Sequence, residues 1–330
     1  MQCPYQRYDE KKDVWYPCGK CIPCRINDRE EWAVRLTHEW KYWEKSSFVT
    51  LTYQDEKLPD NCSLRKLDLS NYFHYLREDE RMKDREIKYF ACGEYGDNGG
   101  IVESGKFKGQ FIHRPHYHAI IFGLDAFEDE DRKIIAENWH FCENWMFNAK
   151  LGSNGEWLDG QAIDYVTPDD INYTCGYIEK KLFGKKLEEL ESEGKINPFG
   201  VCSQGIGKRY CFDNKNQILD LMYVQRKGHK LPIPRQYMKW LGIDNEVLRA
   251  PYKESYNMRH INIKESNKGS DFNYDKICKK AIAELEKQYP FDEKQIFSKS
   301  YATAAKHLFM RVYQAEIEKQ ADLYWRNQKI

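Results

Sequence analysis

The chain has 330 residues, 41% of them hydrophobic, which suits one large domain or two modest ones around a sizeable core. Lys plus Arg equals Asp plus Glu at 52 each, so no global positive field draws it to nucleic acid. The polar start MQCPYQRYDEKKDVW and the lack of any stretch near the roughly 20 apolar residues of a membrane span argue against a signal peptide and a membrane protein, and the cytoplasm of a host cell is the expected compartment.

In chain order, residues 1–25 are irregular and cysteine-rich, and INDREEWAVRLTHEWKYWEK at 26–45 sets Ile26, Trp32 or Ala33, Leu36 and Trp40 or Trp43 at helical spacing. SSFVTLTY at 46–53 reads as a buried strand stopped by QDEKLPDN. LDLSNYFHYLREDERMK follows as a helix with Asp68 or Ser70 as N-cap. IKYFACGEYG at 87–96 is the next strand, and the Gly-rich DNGGIVESGKFKGQ has room for a small hairpin. HRPHYHAIIFG at 113–123 is a strand opened by Pro115, where a missing N–H is tolerated, and DEDRKIIAENWHF is a helix.

Strand signals are weak around QAIDYVTPDD, whereas INYTCGYIEKKLF at 171–183 reads as a helix entered through Pro168 and Asp169 or Asp170. GKKLEELESEGKINPFG is a charged excursion that marks a boundary. Basic, irregular segments run from there to about residue 270, then two helical stretches at roughly 272–288 and 292–327 flank Pro290. The expected partition is a cysteine-rich segment at 1–25, a catalytic domain at 26–183, a basic extension at 184–270 and a helical region at 271–330.

Side chains alternate across a strand, so His116 and His118 share one face and Tyr117 takes the other. Glu94 in CGEYG is the nearest suitable carboxylate on a neighbouring strand, and two imidazoles with one carboxylate suit a borderline divalent ion. The same pattern also fits ordinary polar positions on a sheet face. His113 precedes Pro115 out of phase and is not expected to ligate. On a helix Tyr173, Tyr177 and Lys180 share a face, which sets two phenols and an ammonium toward one place or makes a half-buried packing pair.

Eleven cysteines, an odd count in a long chain, point to reduced thiols. Cys18, Cys21 and Cys24 form C-x2-C-x2-C and Cys3 could add a fourth thiolate, a set suited to structural zinc, with unligated thiols or an iron–sulfur cluster as the other readings. From Cys175 to Lys239, 13 Lys/Arg stand against 7 Asp/Glu among seven Phe and Tyr residues. That window reads either as a single-strand surface, with cations on phosphates and rings on bases, or as a solvated face over core aromatics. Lys181, Lys208 and Arg209 are its expected DNA contacts.

The order FVTLTY, GEYG, RPHYHAIIFG, YTCGYIEKK resembles the HUH endonucleases of rolling-circle replication. PCGKCIPCR followed by the WAVR helix, FVTLTYQDEKLP, CGEYG, RPHYHAIIFG, GYIEKK and GIGKRYCFD resemble, over roughly residues 1–240, the replication initiators of microviruses in their gokushovirus-like branch, small phages with single-stranded DNA.

The resemblance implies an α+β nuclease domain, a mainly antiparallel sheet with the His pair on a central strand and the tyrosine helix against it. It implies Mg²⁺ or Mn²⁺ on His116, His118 and Glu94, with Tyr177 and Tyr173 as nucleophiles. Tyr177 with Lys180 matches the family's Y-x-x-K element, while Tyr173 is followed at that spacing by Gly176, where relatives tend to carry a basic residue. The implied activity is nicking and rejoining of single-stranded origin DNA or an origin hairpin through a 5′-phosphotyrosine, with host helicase and polymerase as partners. The rival readings are a plasmid initiator, relaxase or transposase with the same chemistry, a zinc-stabilised single-strand-binding protein, and a metal phosphodiesterase using water.

Overall fold

The computed structural model describes residues 7–9, 14–20, 22–96, 99–142, 163–179 and 185–243, with isolated helical positions at 279, 283, 284 and 287. The expected helices at 272–288 and 292–327 therefore fall mostly outside the described residues. The chain divides into two compact units, one of residues 32–210 and one combining 1–31 with 211–330.

The elements run β1 (Arg7–Asp9), β2 (Val14–Tyr16), α1 (Ile22–Trp40), β3 (Ser46–Thr52), α2 (Lys66–Glu78), β4 (Lys88–Tyr95), β5 (Gly100–Ile101) and β6 (Phe111–Ile112). Then come β7 (Pro115–Phe122), α3 (Asp129–Glu137), β8 (Ile163–Tyr165), α4 (Pro168–Glu179), α5 (Lys185–Ser192) and β9 (Phe199–Cys202). The last are α6 (Lys208–Asp213), α7 (Lys215–Leu221), β10 (Val224–Arg226), β11 (His229–Leu231) and α8 (Arg235–Leu241).

The larger unit is α+β, built on a five-stranded antiparallel sheet in the order β8-β3-β7-β4-β9. The H-x-H strand is the middle one, which explains its unbroken apolar run AIIF: both its faces are covered. On one face, Val49, Leu51, Ala91, Tyr117, Ala119 and Ile121 pack with α2 and α3. On the other, Phe90, Ile120 and Phe122 meet Ala33 and Leu36 of α1 and Ile171 and Cys175 of α4. The outer end of this second face carries the polar residues.

Several elements depart from the sequence reading. α1 starts and ends earlier than 26–45, and Asp68 sits in the first turn of α2, not at its cap, because Tyr53 donates to its carboxylate at 2.8 Å. The segment IDY within QAIDYVTPDD is a strand, and the charged excursion contains α5 and runs into β9, so the sheet continues past residue 183. The stretch to residue 243 is regular, with α6, α7, α8 and a β10–β11 hairpin turned through Lys227 and Gly228, both at positive φ. In the smaller unit, Arg235 of α8 holds Asp28 and Glu31 of α1 at 2.7 and 2.8 Å.

Candidate active site

Strand register makes the site. Glu94 pairs with His116 and Cys92 with His118 across β4 and β7, so all four side chains share a face. Glu94 Oε1 lies 2.9 Å from His116 Nε2 and 3.3 Å from His118 Nε2, and one ligand atom from each residue falls within 4.8 Å of the others. Glu94 is only 4% exposed. His113 is elsewhere, its Nδ1 2.7 Å from the Gly96 carbonyl.

Each ring is held from behind. His116 Nδ1 is 3.1 Å from the Arg114 carbonyl, which can only accept, so this nitrogen carries the proton and Nε2 faces Glu94. His118 Nδ1 meets Thr50 Oγ1 at 3.1 Å, Thr50 being its cross-strand partner on β3. An imidazole lone pair and a carboxylate oxygen 2.9 Å apart need a positive charge between them, which an imidazolium proton or a metal ion would provide. Two imidazole nitrogens and one carboxylate oxygen at this spacing fit a divalent ion with open positions.

The tyrosine helix α4 closes the site. Thr167 caps it with a reciprocal pair: the Thr167 N–H donates to the Asp170 carboxylate and the Asp170 N–H to Thr167 Oγ1, with Pro168 at the first helical position. Ile171 and Cys175 then face the core, while Tyr173 and Tyr177 lie against the imidazoles. The His118 ring stacks between Phe48 and Tyr177, at 5.7 and 4.9 Å between centroids and within 9° of parallel. Tyr173 stands edge-on to His118 at 5.3 Å and to Tyr177 at 4.8 Å.

The two phenols differ. Tyr177 is 2% exposed, and burial, the Glu94 carboxylate and hydrogen bonding to Tyr173 hold its proton well above the usual phenol range. Tyr173 is 39% exposed.

This region matches the family model for the replication-associated protein ORF2 over residues 46–182. The chain is also 30% identical to the replication-associated protein VP4 of Bdellovibrio phage phiMH2K over 233 residues, 68% of this chain and 67% of that one. The chain belongs to the replication-associated protein family. Another relative is the replication-associated protein ORF2 of Spiroplasma virus 4, 33% identical over 64% of this chain and 63% of its own. The replication-associated protein ORF4 of Chlamydia phage 1 is 26% identical over 67% of this chain but only 52% of its own length. No solved structure matches.

In this replication-associated protein the family match encloses Glu94, His116, His118, Tyr173 and Tyr177 together with Thr50 and Phe48. Spacing alone did not disclose those last two, since they become partners of His118 only through the β3–β7 register. Lys180, Lys181, Cys3 and Cys21 lie outside the described residues. Lys208 and Arg209 open α6 beyond a turn pinned to α1: the Gly207 N–H donates to Glu39 at 2.6 Å, Arg35 donates to the Ile206 carbonyl, and the Arg209 guanidinium lies over the Tyr42 ring. Among the described residues, no helix is long and apolar enough to cross a membrane.

Proposed function

We propose that this protein is a rolling-circle replication initiator of the HUH type, which nicks single-stranded origin DNA and reseals it by tyrosine transesterification. The observation that carries the reading is the meeting of Glu94, His116 and His118 with two tyrosines of one helix at one end of a sheet face. Packing alone would not need two imidazoles aimed at one carboxylate.

Glu94, His116 and His118 would hold the divalent ion, Mg²⁺ or Mn²⁺. Bound there, it would supply Lewis-acid polarisation of a phosphate oxygen and offset the carboxylate charge that keeps the Tyr177 phenol protonated. Thr50 and the Arg114 carbonyl fix the rings so that both Nε2 atoms face inward.

Tyr173, open to solvent, is placed to act first: its oxygen forms the bond to phosphorus, the bond from phosphorus to the 3′ oxygen breaks, and the departing oxygen takes a proton to become a free 3′-OH. The 5′ end stays on the protein as a phosphotyrosine, and attack by a 3′-OH reverses the step and rejoins the strand. Tyr177, touching Tyr173, is the second nucleophile in this reading, for the cut that ends a round. Lys180, Lys181, Lys208 and Arg209 would contact the DNA, with a host helicase and polymerase extending the 3′ end in the host cytoplasm.

Zinc is the proposed role of the N-terminal cysteines. Cys18 and Cys24 Sγ are 3.9 Å apart, near the about 3.8 Å that two thiolates span on one tetrahedral zinc with bonds of about 2.3 Å. The Lys20 N–H donates to Cys18 Sγ, which favours a thiolate. Cys3 and Cys21 would complete the set.

The test is to incubate the full-length protein with end-labelled single-stranded DNA tiled across the origin region and Mn²⁺, then resolve protein–DNA adducts on a denaturing gel. The expected result is an adduct absent from His118→Ala and lost or reduced in Tyr173→Phe and Tyr177→Phe. Cleavage without an adduct would replace the tyrosine with water, and binding without cleavage would leave a single-strand-binding protein.

A further inference from the structure

Strands β4 and β7 do not stop at the site. Past Glu94 and ahead of His116 they continue into the β5–β6 hairpin, where Ile101 pairs with Phe111. The hairpin is anchored from one side only: Val102 is buried and Ile112 packs against the core that contains Tyr117. Alternation turns Ile101 and Phe111 away from that core, toward the side of the sheet that carries Glu94 and His116, and each is 66% exposed.

Phe111 is nevertheless held in place. A Cβ built on Gly99 would lie 2.3 Å from the Phe111 ring, so the ring rests on a backbone that only glycine leaves open, and His113 stands edge-on to it at 5.8 Å. Two exposed apolar residues on a chain of balanced charge serve no fold, and they are far too few for a protein interface of about 800 Å² per partner. They match the area of one or two nucleobases. Five residues separate Phe111 from His116, at most about 17 Å of chain.

We propose that the Ile101–Phe111 face of this hairpin is a stacking platform for an unpaired base of the DNA strand, a few nucleotides from the phosphate held at the Glu94 site. Phe111 carries the base, Gly99 and His113 fix the ring, and the exposed Lys108 on the hairpin loop lies toward the backbone. Because every base has a π-face, the platform places the strand with little demand on sequence. The assignment rests on the nuclease reading only for the distance to the scissile phosphate.

The test is a binding titration of the full-length protein with a single-stranded oligonucleotide carrying 2-aminopurine at successive positions, alongside the adduct assay. In the wild type, 2-aminopurine at one or two positions is quenched on binding. Phe111→Ala abolishes that quenching and weakens binding about 5- to 100-fold, while Phe111→Trp keeps both. Gly99→Ala, which leaves Phe111 in the sequence but displaces its ring, repeats the loss. An abasic site at the quenched position weakens wild-type binding to the same degree and Phe111→Ala no further.

Unchanged binding and quenching in a folded Phe111→Ala protein would overturn the proposal. So would a change in self-association with DNA binding intact, which would give the patch to a second copy. Quenching that depends on Phe111 in a protein that never forms an adduct would keep the platform and discard the nuclease.

Discussion

The two faces of β7 hold the same kinds of chemical group and use them differently. Behind the strand, Tyr117 and Tyr53 share a 2.8 Å hydrogen bond, Tyr53 donates to Asp68, and the Tyr117 hydroxyl donates to the Arg65 carbonyl and accepts from the Arg65 N–H. In front, a buried phenol again lies by a buried carboxylate, but two imidazoles and an exposed second phenol complete the group. The rear cluster is closed, each hydroxyl spent on a neighbour inside the fold. The front cluster leaves acceptors facing one another, which a cation would reconcile. A buried polar cluster points to chemistry when its own members leave a charge wanting.

The sharpest way to break that contrast is His118→Ala. Adduct formation should fall on the order of 10³-fold with the circular dichroism spectrum unchanged. Thr50→Val, which keeps the shape but removes the hydroxyl behind His118, should raise the Mn²⁺ concentration needed for half-maximal activity about 10- to 100-fold.

On the closed face the response should be in stability alone. Tyr117→Phe strips the Arg65 N–H of its acceptor and should cost about 1–3 kcal/mol in denaturant unfolding with Mn²⁺ dependence intact. Burial lifts the Tyr117 phenol from 10 to about 12. Its folded value exceeds its unfolded one, so its contribution is full below pH 10 and fades as pH climbs through 12. An alkaline unfolding curve should show that loss in the wild type and less of it in Tyr117→Phe.

The smallest effect is Gly93→Ala. The new methyl would meet the Tyr117 ring at 3.0 Å and Leu64 at 3.1 Å, for about 1–2 kcal/mol. If the rear-face variants move Mn²⁺ dependence as strongly as Thr50→Val, the two faces are one functional unit and the contrast fails.

Much of this could be read from the chain. The strands at 46–53, 87–96 and 113–123 and the tyrosine helix carry strong local signals, and H-x-H with Glu94 needs only alternation and one strand pairing. β8 escaped because three residues at a sheet edge have no period, and they are strand only by pairing with Ser47–Val49. β9 was hidden by Asn197, Pro198 and Gly200, which read as punctuation. The unequal exposure of Tyr173 and Tyr177 could not be read either, because i and i+4 fix a shared face and not its depth.

The order of the sheet has one more consequence. The three middle strands, β3, β7 and β4, all lie within residues 46–122, whereas both outer strands and the helix bearing Tyr173 and Tyr177 come after residue 162. A ribosome thus delivers every residue of the Glu94, His116 and His118 cluster before either phenol. The growing polypeptide holds the whole ligand set while it still has no means of joining itself to a nucleic acid, and the capacity to attack arrives last.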